Sequence, residues 1–228
     1  MSPRFAPVLF DLDGTIVDSA PGIIASLTWT HEQLRLPVPP PAELLAWVGP
    51  PLLDSFRDLA ELDEDDARRA LSTYRAHYAE VGVLQTAPYP GVLEVLRAVR
   101  TAGVPLALAT SKPETTAQLI LERLEVADVF TTITGASADE ARSRKADVVA
   151  EAMRRLAVGG DDGPAPVMVG DRVHDVEGAA EHGIPTILVT WGYGLPAERA
   201  GAIAVARAAD ELLAELALTE STTRDRAV

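Results

Sequence analysis

The sequence predicts an α/β protein in which a doubly wound, mostly parallel sheet forms the core and an all-helical cap is inserted. Two observations carry this prediction. Short apolar runs alternate along the chain with helical patterns, which is the order of a sheet built from right-handed strand–helix–strand crossovers. One of these connections is far longer than a crossover requires, and its excess residues are themselves helical in pattern.

Each predicted core strand is short, rich in Val, Ile, Leu or Ala, and without strict alternation of polar and apolar residues. Strands that helices cover on both faces have this composition. The predicted strands are Val8–Phe10, Val104–Ala109, Val129–Ile133, Val167–Val169 and Ile184–Val189. The helical patterns that separate them are Val92–Thr101, Glu114–Leu124, Lys145–Leu156 and Val176–His182.

The long connection lies between the first two predicted strands. A strand–helix–strand unit needs ~30 residues, whereas the first strand ends near Phe10 and the second begins near Val104. Apolar positions at helical spacing, separated by proline and glycine, predict helices inside this connection at Ala20–Leu34, Pro51–Ala60 and Glu64–Val81. We therefore expect a Rossmann-like core at residues 1–17 and 88–218, a helical cap at 18–87 and a frayed tail at 219–228.

The composition excludes several classes of partner and site. The 228 residues include 20 basic and 34 acidic side chains, a net charge of −14, and such a field repels nucleic-acid polymers and anionic membrane surfaces. The chain has no cysteine, which excludes disulfides, thiolate metal ligands and cysteine nucleophiles. No long apolar stretch precedes Asp11, so we expect neither a signal peptide nor a membrane anchor and predict a cytoplasmic protein.

Polar residues gather where the predicted strands end. They are Asp11, Asp13, Gly14 and Thr15 after the first strand, Thr110, Ser111 and Lys112 after the second, Lys145 after the third, and Asp171 and Asp175 after the fourth. Taken singly, each is compatible with a helix cap, a turn residue or a surface charge. The carboxyl ends of parallel strands meet at one edge of the sheet, so together these residues predict a site at that edge.

These residue types indicate a particular chemistry. Several carboxylates at one point would repel one another unless a cation lay among them, and oxygen ligands select a hard ion, most commonly Mg²⁺. Lys145 would neutralise further charge, and Thr110 would donate a hydrogen bond to a phosphoryl oxygen. A carboxylate can also act as the nucleophile and form an acyl-phosphate. The predicted site is therefore suited to phosphoryl transfer.

Four motifs resemble those of the haloacid dehalogenase-like hydrolase superfamily. Phe10–Ser19 (FDLDGTIVDS) resembles the first motif, Thr110 the second, Lys145 the third, and Val169–Asp175 (VGDRVHD) the acidic fourth. The resemblance spans nearly the whole chain, with the motifs in the family's order and spacing. The inserted helices resemble the family's cap of the kind that lies between motifs one and two.

The resemblance implies a role for each carboxylate. Asp11 would attack phosphorus and bind Mg²⁺ through its other oxygen. Asp13 would protonate the leaving alcohol, then activate water, and would ligate the metal through its backbone carbonyl. Asp171 would be a direct metal ligand, whereas Asp175 would hold a metal-bound water or orient Lys145.

Substrate recognition involves further residues. The resemblance implies that Thr110 and Lys145 clamp the phosphate and the nucleophile. Thr110–Pro113 and the cap segment Val48–Leu52 are similar to the phosphoglycolate phosphatase-like branch, and we expect a small phosphomonoester such as phosphoglycolate, a sugar phosphate or a nucleoside monophosphate. Close relatives often carry a Leu-Asp-Gly-like stretch where this chain has Ser137–Arg144, and this loop is expected to lie near the site. The predicted substrate-binding residues are Gly14, Thr15, Arg57, Ser111 and Lys112.

Other interpretations stay open. A dehalogenase or a phosphosugar mutase would share the fold; metal-independent dehalogenases lack an acid/base residue equivalent to Asp13, whereas a mutase would keep one. A non-enzymatic phospho-receiver module also groups Asp, Thr and Lys, but its phosphorylated aspartate lies on a later strand and it has no large cap. We therefore predict a magnesium-dependent phosphatase that acts through an aspartyl-phosphate, with a small phosphorylated metabolite as its partner.

Overall fold

The computed structural model describes residues 3–156 and 164–217. Within these ranges the strands are β1 (Val8–Phe10), β2 (Val17–Asp18), β3 (Ala87–Pro88), β4 (Leu106–Pro113), β5 (Thr132–Ala136), β6 (Val167–Gly170), β7 (Thr186–Val189) and β8 (Ala204–Ala206). The α-helices are α1 (Ala20–Gln33), α2 (Pro41–Leu44), α3 (Leu52–Asp58), α4 (Glu64–Glu80), α5 (Val92–Thr101), α6 (Glu114–Arg123), α7 (Lys145–Leu156), α8 (Val173–Ala180) and α9 (Ala209–Glu215).

The main sheet of these ranges has six strands in the order β5-β4-β1-β6-β7-β8, and every pair is parallel. β1 lies near the centre, where Phe10 is in register with Leu108 of β4 and with Val169 of β6. Residues that follow β1, β4 and β6 therefore emerge side by side at one edge. The strand order reverses here, and open α/β sheets bind ligands at such a point. This architecture confirms the predicted fold class.

Both faces of the sheet are buried. Successive side chains of a strand point to opposite faces, and Leu9 and Met168 pack on one face with Val148 of α7. Phe10 and Leu108 belong to the larger cluster on the other face, which continues into the helices between β2 and β3. Burial on both sides explains why the predicted strands are uninterrupted apolar runs.

Three predicted strands begin two or three residues too early, at Val104, Val129 and Ile184, and the sequence pattern indicates none of the short strands β2, β3 and β8. Val129, the predicted first residue of the third strand, instead ends a short 3₁₀ helix at Ala127–Val129, and β5 begins at Thr132. A short apolar run is compatible with either structure, so periodicity does not separate them. β8, Ala204–Ala206, is a three-residue strand whose composition carries no strand signal.

Helices α1 to α4 form an insertion between β2 and β3. These two strands pair antiparallel, with Val17 opposite Pro88 and Asp18 opposite Ala87, so the chain leaves and re-enters the sheet region at one place. Within the insertion, α4 packs against α1 and α3. The division into a core at 1–17 and 88–218 and a cap at 18–87 stays a prediction, and the predicted frayed tail at 219–228 lies outside the described residues. Along the described ranges, no helix combines the length and apolar character needed to cross a membrane.

Candidate active site

The turn after β1 places Asp11 and Asp13 at the sheet edge. The amide of Asp11 donates to the carbonyl of Val169 at 2.9 Å, which continues the pairing of β1 with β6 up to this carboxylate. The chain then turns through Gly14, whose φ of 82° lies in the left-handed region that favours glycine. A Cβ atom on Gly14 would lie 2.3 Å from Oδ2 of Asp171. Glycine is therefore required for the turn to approach that second carboxylate.

Lys145, the first residue of α7, reaches into the carboxylates. Its Nζ lies 2.7 Å from Oδ1 of Asp11, 2.8 Å from Oδ1 of Asp175 and 3.1 Å from the carbonyl oxygen of Ala109. Burial lowers the pKa of this ammonium group, but the charges of Asp11 and Asp175 outweigh that effect and hold the pKa above its ordinary value. Lys145 is therefore a positive charge fixed against Asp11.

Asp11, Asp171 and Asp175 form a buried acidic cluster, in which one carboxylate oxygen of each lies within 4.8 Å of the others. Burial raises the pKa of Asp11 to about 6, although Lys145 acts to lower it. Burial also raises the pKa of Asp171 well above its ordinary value, and the charges of Asp175 and Asp11 raise it further. The acidic cluster therefore contains more negative charge than Lys145 neutralises. A hard divalent cation would relieve this repulsion, and an all-oxygen donor set of this kind fits Mg²⁺.

Asp175 is engaged through both of its carboxylate oxygens. Oδ2 accepts hydrogen bonds from the amides of Asp171 and Arg172, each at 3.0 Å, while Oδ1 faces Lys145. These bonds start α8 at Val173, earlier than the sequence pattern indicated, because they satisfy amides at the beginning of the helix. Asp175 therefore orients Lys145 and the turn that presents Asp171.

Asp13 lies beside the acidic cluster and has a separate set of hydrogen-bond partners. Its Oδ1 accepts a hydrogen bond of 2.5 Å from the hydroxyl of Ser19, and Nζ of Lys112 lies 3.0 and 3.1 Å from its two oxygens. Burial lowers the pKa of Lys112, but Asp13 and Tyr78 raise it above its ordinary value. The chain's two lysines, Lys112 and Lys145, are thus paired with the two carboxylates of the turn after β1.

The remaining residues of the predicted site lie around these carboxylates. Thr110 is buried in β4, and its hydroxyl oxygen accepts the amide of Lys112 at 3.3 Å. The hydroxyl of Thr15 lies 3.5 Å from Oδ1 of Asp171. Ser111 lines two cavities that lie between the insertion and the sheet edge. The turn residues after β1 and the residues at the end of β4 therefore meet as the sequence predicts.

The cavity beside Asp13 has a volume of about 60 Å³. Ser111 and Lys112 form part of its core side. Its wall on the insertion side is largely apolar and includes Ile23, Trp47, Pro51, Leu52 and Leu71. We refer to this space as the leaving-group cavity, because Asp13, the residue predicted to protonate the leaving group, lines it.

Arg57 is a predicted substrate-binding residue that contacts neither the site carboxylates nor this cavity. Its guanidinium group pairs with Asp54 at 2.9 Å and with Glu64 at 2.7 Å, all within the insertion. The cavity is instead lined by Arg75, which lies one helical turn beyond Leu71 on α4. This spacing places Arg75 next to the apolar face of α4, so the sequence did contain a signal for it.

The loop after β7 holds the acidic cluster from the other side. The amide of Tyr193 donates to Oδ2 of Asp171 at 2.7 Å. Its hydroxyl donates to Oδ1 of Asp18 at 2.8 Å and accepts the amides of Ser19 and Ala20 at 2.8 and 3.0 Å. Tyr193 therefore joins the acidic cluster to the point where the chain enters the insertion.

A buried aspartate at the end of the central strand, a lysine against it and an acidic pair beyond it define a class of α/β site suited to phosphoryl transfer. The sequence model for the haloacid dehalogenase-like hydrolase family matches residues 8–189. The chain belongs to this family.

The proteins that this chain resembles are named for different activities. The tyrosine-protein kinase PtkA of Mycobacterium tuberculosis is 44% identical over 198 residues, which cover 85% of this chain and 65% of PtkA. The phosphoglycolate phosphatase of Caulobacter vibrioides is 37% identical over 201 residues, which cover 82% of this chain and 80% of that protein. A crystal structure of a predicted phosphatase from Clostridium acetobutylicum matches with a TM-score of 0.87 at 36% identity, over 94% of this chain and 100% of the other. The chain thus spans less than two thirds of the length of PtkA.

Proposed function

We propose that this protein is a Mg²⁺-dependent phosphatase that hydrolyses a small phosphomonoester through an aspartyl-phosphate on Asp11. The observation that carries the proposal is the position of Asp11. Its carboxylate lies 2.7 Å from Nζ of Lys145 within the acidic cluster, and Asp13 lines the adjoining leaving-group cavity. A nucleophile and a separate acid/base residue are the two groups that this chemistry requires. The similarity to a phosphoglycolate phosphatase supports the same class of reaction.

Asp11 supplies the nucleophile in the first half of the reaction. One of its oxygens bonds to phosphorus as the bond between phosphorus and the leaving-group oxygen breaks. Lys145 offsets negative charge on both the nucleophile and the transferred phosphoryl group. Thr110 and Ser111, at the end of β4, donate hydrogen bonds to the phosphoryl oxygens in this proposal.

Asp13 moves the protons in both halves. Its protonated carboxyl group gives a proton to the leaving-group oxygen as the phosphoenzyme forms. The resulting carboxylate then takes a proton from water, whose oxygen attacks phosphorus and releases Asp11. Ser19 and Lys112 hold the Asp13 side chain in place through the contacts described above. The insertion acts as a cap that limits the entry of water until this second step.

Asp11, Asp171 and the backbone carbonyl of Asp13 are the groups that we assign to Mg²⁺. When bound, the ion supplies positive charge that offsets the phosphoryl oxygens. We do not assign Asp175 as a direct ligand of the ion, because Lys145 and two backbone amides already engage its oxygens. This assignment leads to different expectations for the two acidic residues after β6.

Asp171→Ala should weaken Mg²⁺ binding and change the stability of the metal-free protein little, because the loss of a buried, repelled carboxylate offsets the loss of the hydrogen bond from the amide of Tyr193. Asp175→Ala should instead destabilise the protein by on the order of 3 kcal/mol, since it breaks a buried ion pair with Lys145. Thermal unfolding in chelator and calorimetric titration with Mg²⁺ measure the two effects separately. If Asp175→Ala kept its stability and lost Mg²⁺ affinity as severely as Asp171→Ala, Asp175 would be a direct ligand.

A second candidate function is phosphoryl transfer to protein tyrosine, which the 44% identity with PtkA supports. Neither a P-loop nor a G-x-G-x-x-G stretch after a strand occurs in the sequence, and Asp13 is suited to activating water. We therefore favour hydrolysis. The kinase function requires ATP as the phosphoryl donor and a tyrosine as the acceptor, so the two candidates differ in what they consume.

The deciding experiment measures phosphate release from a panel of small phosphomonoesters, with Mg²⁺ or with chelator. A parallel reaction contains γ-labelled ATP and a tyrosine-containing protein. We expect phosphate release from at least one small ester, only when Mg²⁺ is present. Label on protein tyrosine, with no ester hydrolysed, would favour the second function instead.

A further inference from the structure

The leaving-group cavity contains an ion pair that the proposed mechanism does not use. Arg75, on α4 of the insertion, pairs with Glu140, which lies in the loop between β5 and α7. Both side chains line the cavity together with Asp13 and Lys112. The side chain of Arg75 is 33% exposed and that of Glu140 is 13% exposed, so the pair lies partly out of water at the edge of the cavity.

Asp13 determines which part of a substrate occupies this cavity. A general acid must lie within hydrogen-bond reach of the oxygen that it protonates. The leaving group therefore starts at Asp13 and extends into the cavity that Arg75 and Glu140 line. With a volume of about 60 Å³, the cavity has room for a short leaving group. The leaving group and the Arg75–Glu140 pair must thus share the same small space.

Arg75 has donor capacity that Glu140 does not use. One terminal nitrogen, Nη2, donates to Oε1 of Glu140, whereas the buried Nε has no hydrogen-bond partner among the described residues. Planar carboxylates bind a guanidinium group best when they bridge two of its nitrogens. A carboxylate that engaged both Nη2 and Nε would therefore bind Arg75 better than Glu140 does.

Glu140 is held in an unfavourable backbone conformation. Its φ of 61° lies in the left-handed region, which residues other than glycine rarely adopt. Its loop is closed by hydrogen bonds from the amides of Glu140 and Ala141 to Ser137 and Asp139. Glu140 thus reaches Arg75 from a short irregular loop, whereas Arg75 lies on a helix, so Glu140 is the partner that a ligand can displace.

We propose that Arg75 forms an anion subsite for the leaving group and that Glu140 occupies this subsite when no substrate is bound. The subsite rests on the proposed phosphatase function and takes a short phosphomonoester whose leaving group carries a carboxylate. Glu140 is an internal competitor, because an anionic leaving group must displace it to reach Arg75. This assigns to Arg75 a substrate-binding role that the sequence led us to predict for Arg57.

Two short esters test the subsite: phosphoglycolate, which has an anionic leaving group, and hydroxyethyl phosphate, which has a neutral one of similar length. We expect Arg75→Gln to raise KM for phosphoglycolate about 10- to 100-fold, with little change in kcat, because a charged hydrogen-bonded contact is lost. The same variant should leave KM for hydroxyethyl phosphate nearly unchanged. Glu140→Gln should lower KM for phosphoglycolate severalfold, since the competing carboxylate is gone. Arg69→Gln is the matched control, because Arg69 lies on the same helix, is exposed and pairs with Asp66.

The two variants should change KM for phosphoglycolate in opposite directions. This distinguishes an anion subsite from an ion pair that only holds the insertion against the core, which we call a latch. A latch between the insertion and the core predicts that Arg75→Gln and Glu140→Gln change both esters alike and in the same direction. That result, or a higher KM for phosphoglycolate in Glu140→Gln, would overturn the proposal.

The subsite can be tested even if neither ester is hydrolysed, an outcome that would count against the phosphatase function alone. In that case phosphoglycolate is titrated by calorimetry into Asp11→Asn protein that carries each of the three substitutions. The Kd values should follow the order expected for KM. Equal affinity with arginine or glutamine at position 75 would then reject the subsite itself.

Discussion

Replacement of Asp11 by asparagine should abolish phosphate release from every phosphomonoester that the protein hydrolyses. The amide has no ionised oxygen to attack phosphorus, so the covalent intermediate cannot form. Loss of the nucleophile in a covalent mechanism costs on the order of 10³-fold or more in kcat. Phosphate release with Mg²⁺ measures the loss, and acid-quenched protein treated with labelled substrate should retain covalent phosphate only when Asp11 is present.

The same substitution should preserve or increase the stability of the metal-free protein at neutral pH. Burial raises the pKa of Asp11 from 3.8 to about 6, so its contribution to stability is fully present below pH 4 and is lost as the pH rises to about 6. Asparagine does not ionise and avoids this loss. The Tm in chelator at pH 7 should therefore be at least that of the unaltered protein, with the difference disappearing near pH 4.

Asp128→Asn provides the control for Asp11→Asn, because Asp128 is an exposed carboxylate of the core that lies outside the site. It should change neither the rate nor the Tm. More than a few per cent of activity in a well-folded Asp11→Asn protein would mean that another residue is the nucleophile.

Asp13→Ala should slow the reaction about 10²- to 10⁴-fold for alkyl phosphates, because general acid–base help is lost in both halves. An aryl ester such as nitrophenyl phosphate has a leaving group that needs little protonation, so formation of its phosphoenzyme should slow much less. Burst and steady-state rates measured for both esters separate the two halves of the reaction.

Asp13→Asn is the comparison that isolates proton transfer from positioning. The asparagine side chain has the size of aspartate and keeps one oxygen that can accept hydrogen bonds from Lys112 and Ser19. It cannot, however, give and take a proton as a carboxylate does. We expect both variants to be slow. If asparagine restored the rate for alkyl phosphates, Asp13 would act by holding Lys112 and not by moving protons.

The fold was predictable because its signals are local. The apolar runs at Val8–Phe10 and Val167–Gly170 are buried on both faces, and α5 and α7 match the predicted bounds in full. The errors lie where tertiary contacts decide the structure. β5 begins only at Thr132, because pairing with β4 and not local composition determines where it starts.

The site was predictable to the extent that strand ends determine it. Asp11 and Asp171 each follow a central strand directly, so the strand order brings them together. Arg57 and Arg75 were harder to distinguish, because both lie on helices of the insertion whose mutual packing the sequence does not specify. The partner of Arg75 could not be predicted, since Glu140 reaches it from a loop on the other side of the cavity.

The pairing of β2 with β3 also bears on how the chain assembles. β1 and β4 pair although ~95 residues separate them. Once the helices of the insertion form and Val17 pairs with Pro88, the loop that remains open shortens to ~25 residues. Because the entropy of loop closure grows with the logarithm of loop length, bringing β4 to β1 then costs about 1 kcal/mol less. An insertion that folds first therefore removes most of the entropic cost that its length would otherwise add to forming the sheet.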